Sequence, residues 1–98
     1  MHKVAPRVYL TQDAWYLAKI YVGEGNMRKL AVLISRWYRD KNKLGTRRPL
    51  TITRFIFDAF IRHSCLDKRF YFVKGKGFKD IQKNILKLIE NGLVVNST

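Results

Sequence analysis

Apolar residues recur at three- and four-residue spacing over four stretches of the chain, separated by short polar or glycine-containing breaks. The regular spacing from Met27 to Lys41 puts Leu30, Leu33, Ile34, Trp37 and Tyr38 on one face and predicts an amphipathic helix. Ahead of it, Trp15, Leu17, Ala18 and Val22 mark a helix over about Gln12–Val22. Thr11 is placed to cap its start, and Gly23-Glu24-Gly25-Asn26 breaks it, with Asn26 able to cap the next. A third helix begins at Thr51 or Thr53 and ends near His63. Ile52, Phe55, Ile56, Ala59 and Phe60 share a face there, widened by Phe57 and Ile61, so this helix is expected to be central and mostly buried. A strand is the alternative, because Thr, Ile and Phe suit strands. In the fourth stretch, about Phe78–Asn91, Phe78, Ile81, Ile85, Leu88 and Ile89 fall on one side and Lys79, Lys83 and Lys87 on the other, with Gly92 as the stop.

Between these stretches lie shorter signals. Residues 1–10 read as an arm in which Val8-Tyr9-Leu10 can be extended, and Asp40–Pro49 reads as a polar, basic loop broken by Gly45. Arg69–Lys74 and Leu93–Val95 read as short strands, with Gly75-Lys76-Gly77 turning the chain between strand and helix. The expected fold is therefore mainly α with a small β-sheet (α+β): about four helices, and a two-stranded sheet of Phe70–Val73 with Leu93–Val95. The whole of 1–98 is read as one domain. Its core is expected to hold Leu30, Ile34, Trp37, Phe55, Ile56, Phe60, Ile81, Ile85 and Leu88.

Charge changes what such a domain is for. Lys and Arg total 20 against 7 Asp and Glu, a formal charge of +13, yet 47% of the residues are hydrophobic. A disordered basic tail lacks that apolar content, so the charge belongs to the exterior of a folded domain. Like charge crowded on a small globule costs stability, and a polyanion relieves the repulsion while releasing its own counterions. Nucleic acid is the partner this favours, double-stranded DNA ahead of RNA. The single cysteine, Cys65, allows no intrachain disulfide. The start of the chain, Met1-His2-Lys3-Val4-Ala5-Pro6, has no apolar core of signal-peptide length, and no apolar run approaches a membrane span. An intracellular protein, in cytoplasm or nucleoid and away from membranes, is the expectation.

Three basic groups are candidates for contacting phosphate. Arg36, Arg39, Lys41, Lys43, Arg47 and Arg48, offset only by Asp40, occupy a helix end and the loop beyond it. Lys74 and Lys76, in Lys74-Gly75-Lys76-Gly77, precede a helix whose free amides and dipole favour an anion, although the motif is too short for a P-loop. Lys79, Lys83 and Lys87 line the polar side of the fourth helix. That helix closes on Leu88-Ile89-Glu90-Asn91-Gly92-Leu93-Val94, and over residues 78–96 the chain resembles winged-helix members of the helix-turn-helix DNA-binding domains. The resemblance implies a DNA-binding regulator of transcription or replication whose Lys79–Lys87 face meets the groove or its phosphates. The chain departs from the pattern in having one helix between Phe72 and Leu93 where a helix-turn-helix has two.

Chemistry of other kinds finds no support in the sequence. His63-Ser64-Cys65 are adjacent neighbours and not the spatial arrangement of a triad, and no His/Cys spacing suggests zinc. No enzyme activity, metal or cofactor is expected. The alternatives to a DNA-binding regulator are an RNA-binding structural protein of ribosomal type and a small viral or phage protein that docks on an acidic host protein. A homodimer is compatible with each.

Overall fold

The computed structural model describes residues 2–64 and 78–91. Strands β1 (His2–Ala5) and β2 (Val8–Leu10) lead into helix α1 (Gln12–Val22), a 3₁₀ turn (Glu24–Asn26) and helix α2 (Met27–Lys41). After a loop come strand β3 (Leu50–Ile52), helix α3 (Arg54–Ser64) and helix α4 (Phe78–Asn91). The chain is thus mainly helical with a small sheet, the α+β class that the periodicity predicts.

Local signals explain where α1 starts and stops and where α3 starts, whereas Asn26 does not cap α2 with its side chain as expected but donates back to the Val22 carbonyl at 3.3 Å. The Thr11 hydroxyl accepts from the Ala14 N–H at 3.4 Å, and its carbonyl accepts from Trp15 N–H at 2.8 Å, opening α1. Gly23 closes α1 at a φ of 80°, which only glycine adopts without strain. Thr53 opens α3 in the same way, its hydroxyl accepting from the Ile56 N–H at 3.2 Å. Both sequence readings of this stretch are therefore met in part. Leu50-Thr51-Ile52 is extended, and the helix begins after Thr53.

The sheet differs from the one expected. Residues 1–10 are not a free arm: β1 and β2 form an antiparallel hairpin, and β3 lies parallel to β2, in the order β1-β2-β3. Pro6 sets the first corner of the hairpin turn, and Arg7 takes the second at a φ of 63°. The parallel pair escaped the sequence reading because three-residue strands carry almost no periodicity and their partners are some 40 positions apart. The expected pair Phe70–Val73 and Leu93–Val95, and the Gly92 stop, lie outside the described residues.

Helix α2 runs between the sheet and the other helices. Its Leu30, Ile34 and Trp37 join Ile56, Phe57, Phe60, Ile85 and Leu88 in one apolar cluster, while all three strands contact the same helix. Trp37 meets the edge of Phe60 with ring centroids 5.6 Å apart. One expected core residue is misplaced. Phe55 is 80% exposed, because the buried face of α3 consists of Ile56, Phe57, Phe60, Ile61 and Ser64. Phe57 and Ile61 belong to that face rather than to its margin, and the rotation turns Phe55 outward. Ile81 is half-buried.

Candidate nucleic-acid interface

The loop after α2 is built from the helix end upward. The Leu44 N–H donates to the Arg39 carbonyl at 2.8 Å and the Lys43 N–H to the Asp40 carbonyl at 3.2 Å, the paired bonds of a Schellman stop. Such a stop needs a left-handed residue, usually glycine. Here it is Lys43, at a φ of 55°. Arg7 and Lys43 are the two non-glycine residues with positive φ among the described residues, and both are cations beside the same loop.

Arg39 decides how that loop sits. Sequence reading places it among the phosphate contacts, but its side chain is turned inward and only 8% exposed. One guanidinium nitrogen, Nη1, donates to the carbonyls of Gly45 at 2.7 Å and Arg48 at 2.9 Å. The other, Nη2, donates to the carbonyl of Arg7 at 3.2 Å. No carboxylate pairs with it among the described residues. A planar fork of donors suits this task, since one head can hold three carbonyls from two chain segments. The Arg7 carbonyl also accepts from the Leu50 N–H at 2.7 Å, and the Arg7 guanidinium donates to the Arg47 carbonyl. The hairpin turn, the loop and the end of α2 are thereby tied together.

The result is a cleft of about 640 Å³ with Arg39 at its base and Lys43, Leu44, Thr46, Arg47 and Arg48 along its walls. No acidic residue lines it among the described residues. Arg7, which sequence reading left in the arm, joins this group through its bond to Arg47. The only hint in the sequence was Pro6-Arg7 as a turn.

The rest of the expected cluster is divided. Lys41 lies over the Trp37 ring, 5.0 Å from its centroid, toward α3. Arg36 borders a different groove, with Arg28, Lys29, Val32, Leu33 and Ile89. On α4, Lys79, Lys83 and Lys87 are exposed, and Lys83 and Lys87 share a shallow cleft with Asn84, Leu86 and Glu90. Asn84 reaches across to donate to the Ser64 carbonyl, which docks α4 against the end of α3. Lys74 and Lys76 lie outside the described residues. Among the described residues the ion pairs are Lys19–Glu24 at 3.3 Å and Arg54–Asp58 at 3.7 Å, so neither involves a candidate cation.

No protein-family model, curated protein or solved structure matches this chain. Among the described residues, no group of three or more His, Cys, Asp or Glu is placed to hold a metal ion, and no helix is long and apolar enough to cross a membrane. What the loop around Arg39 offers chemically is positive charge with no carboxylate in the lining of its cleft.

Proposed function

We propose that this chain is a non-enzymatic nucleic-acid-binding protein whose primary contact is the loop Lys43–Arg48 together with Arg7. The observation that carries the proposal is the buried Arg39 fork. It holds the loop by its carbonyls and leaves Lys43, Arg47 and Arg48 around a cleft that no acid neutralises. An ordered loop backbone loses less freedom on meeting a polyanion than a mobile one, and phosphate contacts of this kind position a strand without reading its sequence. A small DNA-binding regulator is the role that best joins this surface to the likeness of residues 78–96 to winged-helix domains.

The test is a salt titration of binding to a labelled nucleic acid. With about five to eight phosphates engaged, log K falls against log salt with a slope of roughly −4 to −7. Reversal of Arg47 and Arg48 to Glu weakens binding to every sequence and flattens the slope by about 2. Absence of binding at low salt defeats the proposal. A second reading is favoured by the groove of about 330 Å³ between α2 and α4, where Val32, Leu33 and Ile89 lie beside Arg28, Lys29 and Arg36. An acidic amphipathic protein segment fits that chemistry, and reversal of Arg36 would weaken such a partner while sparing nucleic acid.

A further inference from the structure

At the far end of β1 from the basic loop is a second cleft, of about 580 Å³, lined by His2, Gln12, Asp13, Trp15 and Tyr16. Its volume lies in the range of small-molecule sites. The His2 and Trp15 rings are stacked, with centroids 4.6 Å apart and planes 25° from parallel. Lys19 lies over Trp15 at 5.4 Å from its centroid, and Tyr16 is 61% exposed. His2 and Lys19 already lie on the Trp15 ring, so the open flat surface of the cleft is the exposed Tyr16 ring, which a planar ring can cover beside the His2–Trp15 stack.

Asp13 supplies the polar edge. Its Oδ1 accepts from the Thr11 hydroxyl at 2.5 Å and from the Ala14 N–H at 2.8 Å, which fixes the carboxylate. The carboxylate is exposed to the cleft, with its own backbone N–H also within reach. A carboxylate here repels phosphate, but it accepts well from the amino group of a nucleobase. Aromatic walls and one oriented acceptor thus suit a base and not a backbone.

The two clefts are joined by β1. Its Ala5 end adjoins the Arg7 turn, its His2 end stacks on Trp15, and the exposed Lys3 lies between them. Three residue steps along a strand span about 10 Å. We infer that the His2–Trp15–Tyr16 cleft takes an unpaired nucleobase bearing an amino group, so that the nucleic acid is single-stranded where it leaves the Arg47–Arg48 loop and follows β1. The inference rests on the nucleic-acid reading of the loop and adds the class of strand that is bound. Stacking on an aromatic side chain is tolerant of sequence and compatible with the phosphate contacts.

The experiment compares ten-residue oligonucleotides of dA, dC and dT, a blunt duplex of the same length and free AMP, each titrated at low salt. One readout is filter binding to the parent protein. The other is fluorescence of the Trp37→Phe variant, in which Trp15 is the remaining tryptophan. Expected are a change in Trp15 emission with oligo-dA and oligo-dC, and a loss of about 5- to 100-fold in single-strand affinity for Tyr16→Ala, with duplex affinity unchanged. Asp13→Ala, which removes the acceptor, should erase the preference for dA and dC over dT. If Tyr16→Ala binds single strands like the parent while Arg47 and Arg48 still matter, this inference is overturned and the phosphate-binding loop stands. If the parent binds no nucleic acid, both fall. If AMP alone binds as tightly as the oligonucleotides, with no dependence on Arg47 or Arg48, the cleft is a separate nucleotide site and the track along β1 is wrong.

Discussion

The loop Asn42–Pro49 and the outer face of α4 are both rich in positive charge, but they are made differently. The α4 lysines come from a single helix at every fourth position, and Asp80 and Glu90 are carried by the same helix. They would present the same pattern on any packed amphipathic helix. The loop draws its cations from a turn at Arg7 and a loop some 40 residues later, and Arg39 fastens both by their carbonyls. Its backbone passes through a left-handed lysine rather than a glycine. Periodic lysines are a by-product of amphipathicity, whereas converging cations on an ordered backbone need tertiary contacts to hold them. That difference is why the loop, and not the helix, is the better candidate for the primary contact.

The largest expected effect separates the two sides of α4. Ile85 is fully buried, and Ile85→Ala should cost about 2–5 kcal/mol, whereas Lys79→Ala, Lys83→Ala and Lys87→Ala should each fall within about 0.5 kcal/mol of the parent in chemical denaturation. The same contrast holds on α3, where Phe60→Ala should cost about 3–5 kcal/mol and Phe55→Ala almost nothing. A costly Phe55 substitution would show that the face of α3 is drawn wrongly.

Next comes the clamp. Arg39→Met removes a donor from three carbonyls, of which Arg7's keeps the Leu50 N–H, and should cost about 2–4 kcal/mol, with nucleic-acid affinity falling as the loop loosens. Arg39→Lys should recover little of either, since an ammonium lacks the planar fork. A stable Arg39→Met protein with full affinity would remove the distinction between the two regions. The comparison is then sharpened by binding itself. Replacing Lys79, Lys83 and Lys87 together by Ala should leave the salt slope nearly unchanged if α4 is only solvated, while reversal of Arg47 and Arg48 flattens it. The opposite result would transfer the primary contact to α4, as the winged-helix likeness implies.

Smaller effects probe strain and acid. Lys43→Gly relieves the left-handed backbone and should stabilise the protein by about 0.5–1 kcal/mol while weakening binding by one phosphate contact, a split that thermal melts and salt titrations resolve separately. Asp13 is held below the usual carboxylate range, chiefly by the Thr11 hydroxyl, with the Ala14 N–H and nearby Arg54 adding to it. A depressed folded-state pKa means that its contribution is present above the ordinary carboxylate pKa and fades as pH falls through the folded value. Asp13→Asn should therefore remove a small stabilisation at neutral pH, and the parent and variant should converge in acid as pH falls below about 4, which flattens the variant's acid limb.

Arg39 shows best why the candidate site was only partly legible. It lies nine positions after Leu30, two and a half helical turns, and so falls opposite the apolar face that identifies α2. A pattern based on that face assigns Arg39 to solvent. It is buried because the sheet and the loop cover the back of the same helix, and no periodicity within α2 carries that information. The exposed cations Lys43, Arg47 and Arg48 were recognised from the local excess of charge, but their union with Arg7 was not.

The sequence by itself determined the four described helices and several of their ends, because spacing, threonine caps and glycine breaks act within a few residues of one another. Thr11, Gly23 and Thr53 each work through bonds to near neighbours. It also determined that the surface is strongly basic, since charge follows from composition. Only the tertiary structure decided that residues 2–10 are a hairpin, that β3 pairs beside β2, that Phe55 faces outward and that Arg39 faces inward. Each of these depends on which distant segment covers a given face, and burial of that kind is set by packing between elements, to which residues close in sequence are blind.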